Sequence, residues 1–407
     1  MRILIINDYL KYGGAEIQSL REKKILEENG HEVMMITLDE KHSIGDENFN
    51  RSNGFINIPV EYSVLRRNLN RLGISLINKK LHYKINGEIQ NFSPDIIHAN
   101  NVNKEPFTIY DVLKKRKTVQ TVRDYSAVCP KGTSIKNNGV ICDGYRYSNC
   151  MKECGKNIIQ RSRFTLWNRI RSTREKNIQR FIAPSMKLTE FCKNNDLKTV
   201  CINNPFDFSR MNGYEKKTDF SVKKYLYYGA INKNKGIIEL IDAFKLFQED
   251  KSVELIIAGK LMPDVRESFH ERIKNEPKIK YIGELDYIDM LKTLEKVYTI
   301  VVPSIWMENY PNTVLEGQSL KILVIGSNRG GIPEMLEDGR GYTFNISSIH
   351  DIIDKLEKTY RLSETEYNRM VENNMEFTQK NNSVDQYYRR IINYFEEIIK
   401  SNEEYNK

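Results

Sequence analysis

The chain has 407 residues, with 63 lysines and arginines against 54 aspartates and glutamates, a net charge of +9. Hydrophobic residues make up 40% and charged residues 29%, which excludes a disordered or fibrous chain. No apolar run approaches the roughly 18–20 residues of a transmembrane helix. The opening MRILIIND lacks signal-peptide character, so a cytoplasmic protein is expected, soluble or peripheral on the inner face of the membrane.

The charge is unevenly placed. Residues 1–205 carry 34 basic and 21 acidic side chains, whereas residues 206–407 carry 29 and 33. A basic first half favours an anionic partner: a membrane face, an acidic substrate or nucleic acid.

At roughly 100–200 residues per domain, the length predicts two or three domains. Ile3 to Ile6 form an apolar run ending in Asn7-Asp8, and Gly13-Gly14 breaks the chain before a helical pattern at Ile17, Leu20 and Ile25. Asn29-Gly30 stops that helix, and Val33 to Ile36 is a second buried strand. This βαβ unit predicts a parallel sheet. Further strands are expected at 96–98, 118–122 and 181–183. The stretch 203–220, rich in Asn, Asp, Pro and Gly, reads as an interdomain linker. A second βα series follows, with strands at 225–228, 253–258, 279–282, 300–302 and 322–325. Tyr387, Ile391, Tyr394, Phe395 and Ile398 keep helical spacing in a last helix. The expected fold class is α/β, with two doubly wound domains at 1–205 and 221–382 and a terminal helix over 383–407 that packs back on the first.

Glycine turns mark the chemistry. The Gly13-Gly14 loop joins a strand to a helix, where backbone can approach an anionic ligand closely; a tight turn is the plain alternative. Asp39 after the second strand would suit a ribose, but the loop is not G-x-G-x-x-G. The strongest signal is Glu308-Asn309-Tyr310-Pro311-Asn312-Thr313-Val314-Leu315-Glu316. Pro311 puts Glu308 in a loop and Glu316 in a helix, so the two carboxylates reach different parts of a ligand. Amides near Asn312 and Thr313 lie at the helix N-terminus, where a diphosphate can be cradled. Two solvated glutamates at a helix start are the competing reading. Gly330-Gly331-Ile332-Pro333-Glu334 and the Lys235-Gly236 turn also follow strands, at the sheet edge where open α/β sheets bind ligands.

These motifs resemble the retaining family-4 glycosyltransferases (glycosyl transferases group 1). The resemblance runs from Gly13–Glu16 through Pro94–His98 and Arg123-Asp124-Tyr125 to Lys235-Gly236, the E-x7-E pair and Gly330–Glu334. It implies the GT-B fold, two facing Rossmann-like domains, and sugar transfer from a nucleoside-diphosphate donor with retention at the anomeric carbon. It implies that Glu308 contacts donor sugar hydroxyls and Glu316 the ribose. Lys235 and the amides of Asn312 and Thr313 would hold the diphosphate, with Asn309, Gly13 and Gly14 also on the donor. Arg123 and Asp124 would join Glu308 and Lys235 as catalytic residues, and no metal would be required for catalysis. Two departures stand out: Ala230 replaces the usual arginine of the first C-domain loop, and Arg123 replaces a histidine found in many relatives. Lys233 or Arg329 would compensate for the first. A lone histidine at a strand end, such as His98, reads as structural.

Cys129, Cys142, Cys150 and Cys154 share one Gly- and Asn-rich stretch, and four thiolates there could hold a structural zinc, with free thiols as the alternative. Two basic amphipathic helices are expected, both able to lie on anionic lipid or to pack on the sheet. One carries Leu65, Leu69, Leu72 and Leu76; the other spans 161–180 around Phe164, Trp167 and Ile170. No motif supports nucleic acid. The expected partners are a nucleoside-diphosphate sugar, a lipid-linked or polysaccharide acceptor and an anionic membrane surface. A nucleotide-sugar epimerase and a non-catalytic binder of anionic polymer remain as rivals.

Overall fold

The computed structural model describes residues 1–10, 13–39, 50–60, 77–142, 144, 146–211 and 213–404. The leucine stripe at 65–76 lies outside them. The chain forms two compact units, Met1–Asn204 with Tyr387–Lys407, and Pro205–Gln386.

In the first unit, β1 (Arg2–Asn7) buries every side chain from Ile3 to Asn7, which suits a central parallel strand covered on both faces. It is followed by α1 (Gly14–Glu28), β2 (Glu32–Thr37), β3 (Phe55–Asn57), α2 (Lys79–Phe92) and β4 (Ile96–Ala99). Then come α3 (Pro106–Val112), β5 (Thr118–Thr121), α4 (Tyr147–Glu153), α5 (Ile158–Asn177), β6 (Arg180–Ala183), α6 (Met186–Lys193) and β7 (Thr199–Cys201). The strand order is β3-β2-β1-β4-β5-β6-β7, and every pairing is parallel.

The second unit opens with β8 (Lys223–Tyr228), α7 (Ile237–Phe247), β9 (Val253–Ala258), α8 (Arg266–Ile273), β10 (Ile279–Gly283) and α9 (Tyr287–Glu295). It continues with β11 (Thr299–Val302), α10 (Asn312–Ser319), β12 (Leu323–Ser327), α11 (Ile332–Leu336), β13 (Gly341–Phe344), α12 (Ile349–Tyr360) and α13 (Glu364–Asn382). Its order is β10-β9-β8-β11-β12-β13, again parallel. Strands β3, β7 and β13 were not expected from the sequence. Each has three or four residues at a sheet edge, too short to show a period.

The linker expectation is corrected. The chain from Pro205 onward belongs to the second unit. Phe206, Phe208, Met211 and Tyr214 pack with its core beside Leu226 and Val302, and Phe220 meets the rings of Tyr298 and Tyr367 edge-on. Lys216 donates to the carbonyls of Leu294 and Val297 at the end of α9. Polar composition marked the segment as irregular, but its aromatics make it core.

The last helix, α14 (Val384–Glu404), gives most of its length to the first unit. Ile391, Phe395 and Ile398 are buried, and Phe395 packs edge-on against His98 with ring centroids 5.5 Å apart. Tyr387 OH donates to Glu22 at 2.6 Å, and Tyr388 OH pairs with His31 Nε2 at 3.0 Å. Removing a fully buried phenyl group leaves a cavity as well as losing transfer free energy. Phe395→Ala is expected to cost about 3–5 kcal/mol in denaturant unfolding.

Candidate functional site

In a doubly wound sheet the loops leaving the two central strands part in opposite directions, opening a crevice at their carboxyl ends. In the second unit that point lies between β8 and β11. The turn ending at Lys235-Gly236 follows β8, and the loop carrying Glu308 follows β11. Lys235 and Glu308 therefore meet: Nζ lies 2.5 Å from Oε1. Ser304 Oγ donates to the same carboxylate oxygen at 2.8 Å, and Ser327 Oγ donates to the Ser304 carbonyl at 2.6 Å. The Lys235 ammonium also stands 5.3 Å from the centre of the Trp306 ring, a cation–π contact. Glu308 is only 9% exposed, so a charge-assisted pair is what makes its burial tolerable.

Two glycines hold this loop from either side. Gly236 has φ +67°, and a Cβ there would fall 1.8 Å from the Pro303 carbonyl oxygen. Gly330 has φ +59°, and its Cβ would fall 1.7 Å from the Glu308 carbonyl oxygen. That same carbonyl accepts the Gly331 N–H at 2.6 Å. Neither position admits any other residue without moving main chain.

Pro311 is the N-cap of α10, and intrahelical bonding begins with the Val314 N–H on the Pro311 carbonyl at 3.1 Å. The amides of Asn312 and Thr313 occupy the first turn, the positive end of the helix. Asn309 is half-buried in the loop before it. One turn along α10, Glu316 Oε2 accepts the Tyr228 hydroxyl at 2.7 Å. Burial and then the neighbouring Glu316 push the Tyr228 phenol well above its usual range, so it stays a donor. Arg329, next to Gly330, is half-buried, and its Nε is buried without a hydrogen-bond partner. Lys233 is exposed on the short turn Lys233–Lys235.

Sequence reasoning missed Ser304, Trp306, Ser327 and Tyr228. Ser304 and Ser327 carried a signal, a hydroxyl at the carboxyl end of a buried strand. Tyr228 carried none, because it reads as one more apolar residue of β8.

In the first unit the strand order reverses between β1 and β4. Gly13 has extended backbone and only an ordinary contact for a Cβ, so sterics do not demand a glycine at that position; α1 opens at Gly14. Asp8, which sequence reasoning passed over, is buried after β1 and accepts the Asn103 and Lys104 N–H groups at 2.5 and 3.0 Å. Its other oxygen is buried without a partner. Burial pushes this carboxyl up to about 7, against those N–H bonds and the nearby lysine.

Arg123 donates to Asn100 Oδ1 at 2.9 and 3.2 Å and to Asn204 Oδ1 at 3.0 Å. Asp124 caps the turn Tyr125–Ala127 by accepting the Ser126 N–H at 2.8 Å. His98 is fully buried between Glu22 and Thr121, 2.7 Å from the Thr121 hydroxyl. Burial acts to raise the Glu22 carboxyl, yet His98, Arg123 and the Tyr387 hydroxyl hold it below its ordinary value. His98 is a core residue.

Cys129, Cys142 and Cys154 all lie close enough to Cys150 to act on its thiol. Among the described residues no three His, Cys, Asp or Glu side chains are placed to hold a metal ion. Cys142 Sγ points instead to the Gly144 carbonyl, at 3.1 Å. Burial, with the other three thiols nearby, pushes the Cys150 thiol up to about 11. The second basic helix takes the packing alternative: α5 buries Phe164, and Trp167 Nε1 donates to the Ser126 carbonyl at 2.9 Å. Its aromatic face is spent inside the unit.

Comparison with known proteins gives the second unit its class. Residues 215–390 match the glycosyl transferases group 1 family. An "uncharacterized 42.6 kDa protein in cps region" of Klebsiella pneumoniae is 23% identical over 354 residues, 82% of this chain and 87% of that protein. A solved glycosyltransferase from Rickettsia africae ESF-5 superposes with a TM-score of 0.70 at 18% identity, covering 98% of each chain. Anabaena Alr3699/HepE, solved in complex with UDP and glucose, superposes at 0.71 with 14% identity, covering 98% of this chain and all of that one. The two parallel sheets with alternating helices match the GT-B glycosyltransferases. The second unit carries the group 1 domain, and the protein is a glycosyltransferase.

The raised Asp8 carboxyl has a definite sign. A group bound more tightly to its proton in the folded state favours folding below its unfolded pKa, and that contribution is lost as pH rises toward 7. Asp8→Asn is therefore expected to be more stable than the wild-type chain at pH 7.5 but not at pH 4, measured by urea unfolding.

Proposed function

We propose that the protein is a retaining family-4 enzyme that moves a sugar from a nucleoside-diphosphate donor to a lipid-linked or polysaccharide acceptor, in cell-surface glycan assembly. The observation that carries this reading is the Lys235–Glu308 pair at the strand-order reversal, with Glu316 one turn into the helix that follows. Departure of the diphosphate builds negative charge on the leaving oxygens. Lys235, the first-turn amides of α10 and Arg329 supply fixed positive charge for it, without a metal in this reading. Arg329 takes the place of the arginine absent at Ala230. Glu308, oriented by Ser304, accepts from the donor's sugar hydroxyls, and Glu316, fixed by Tyr228, accepts from the ribose.

The UDP and glucose of the Anabaena protein support a nucleoside-diphosphate donor. In the first unit, the Gly13-Gly14 loop, Arg123 and Asp124 are assigned to the same reaction. The basic first half supports an acceptor presented at an anionic membrane face. Among the described residues no helix is long and apolar enough to cross a membrane.

A thermal-shift screen of nucleoside diphosphates and their sugars should raise the unfolding midpoint for one nucleotide, because a ligand of the native state stabilises it. Lys235→Ala and Arg329→Ala should each weaken that ligand by roughly tenfold or more. Glu308→Gln should retain nucleotide binding but lose on the order of a hundredfold in transfer, and NMR of the product should show the donor's anomeric configuration. No response to any nucleotide would sink the reading, and product formed from the nucleotide sugar alone would make the protein an epimerase.

A further inference from the structure

The excess of basic charge in the first unit has a local focus. Residues 131–163 carry seven lysines and arginines against two acidic side chains. The segment folds as a small hairpin, closed by an antiparallel bridge between Ile135 and Ile141, followed by α4 and the start of α5. Polar bonds join these pieces. Asn137 Nδ2 donates to the carbonyls of Glu153 and Cys154 at 3.0 and 3.1 Å, and Lys136 pairs with Glu153 at 2.9 Å. Arg161 donates to the Gly155 carbonyl, and the Tyr147 hydroxyl meets Thr165 at 2.8 Å.

This framework exposes five large apolar side chains. Ile158 is 82% exposed, Val140 53%, Ile159 52%, Ile141 40% and Tyr147 37%. Single exposed aliphatics need no explanation, but five in one cross-bonded segment do. In the same segment Arg146, Lys152, Lys156 and Arg161 are exposed as well. Exposed aliphatic side chains in one segment with exposed cations suit an anionic bilayer, whose acyl region takes the isoleucines while its headgroups meet the lysines and arginines. A second copy of the chain would bring the same cations against one another.

We propose that Val140, Ile141, Tyr147, Ile158 and Ile159 form a lipid-inserting patch that anchors the first unit to an anionic membrane surface. The patch rests on the reading that the enzyme works at a membrane face, and it moves the contact from the aromatic side of α5 to the hairpin and the beginning of that helix. The donor chemistry plays no part in it.

The test is sedimentation of the full chain with lipid vesicles. The wild-type chain should pellet with vesicles of equal parts phosphatidylglycerol and phosphatidylcholine and stay in solution with phosphatidylcholine alone. Raising salt from about 0.1 M to about 0.5 M should weaken binding several-fold. The triple variant Val140→Ser, Ile158→Ser, Ile159→Ser should partition at least about tenfold less, with its unfolding midpoint and nucleotide response unchanged. Lys152→Glu with Lys156→Glu gives a second, independent loss that leaves the aliphatics in place. The proposal is overturned if the wild-type chain ignores anionic vesicles at low salt, if it binds neutral ones equally, or if the triple variant binds as before. It is equally overturned if light scattering shows a dimer that the triple variant abolishes. A missing nucleotide response would strike at the transferase reading and leave this one standing.

Discussion

The second unit is organised around a distance too short for any side chain. The loop that presents Glu308 is gripped by Gly236 against Pro303 and by Gly330 against Glu308 itself. Both approaches are main chain on main chain. The position of the carboxylate is therefore set by backbone, and side chains only finish its orientation: Ser304 and Lys235 on Glu308, Tyr228 on Glu316. Such a site needs little reorganisation as charge develops on a ligand, the condition under which fixed dipoles and charges are most effective.

The first unit uses the same topology with a different material. At the matching edge it has a buried carboxyl after β1, and below it a histidine and a glutamate shut away from water. Burying charges is costly unless partners surround them. Glu22 is surrounded by His98, Arg123 and the Tyr387 hydroxyl, the last brought from the far end of the chain. Arg123 is thus tied into the unit's own polar network.

Much of this was legible in the sequence because fully buried parallel strands are continuous apolar runs, and because a proline between two glutamates splits them between loop and helix. What escaped notice failed for physical reasons. Tyr228 lies in such a run, and nothing in its neighbours tells which side chains turn toward a carboxylate. Residues 205–220 look like a linker by their Asn, Asp, Pro and Gly, yet Phe206 and Phe220 anchor them in the core. In α5, periodicity identified an apolar face but not what covers it. Strands of three residues leave no pattern at all.

The placement of α14 also decides the order in which the molecule is finished as it is made. The first unit receives Tyr387, Phe395 and Ile398 only after about 180 residues of the second have left the ribosome. At roughly 5–20 residues per second that is an interval of about 10–40 s. Through it, the wall beside His98 and Phe181 stands uncovered and Glu22 lacks a tyrosine partner. The second unit, continuous in sequence, can close in that time. The second unit is inserted between the two parts of the first, so the nascent chain leaves that buried wall open to chaperones throughout the interval.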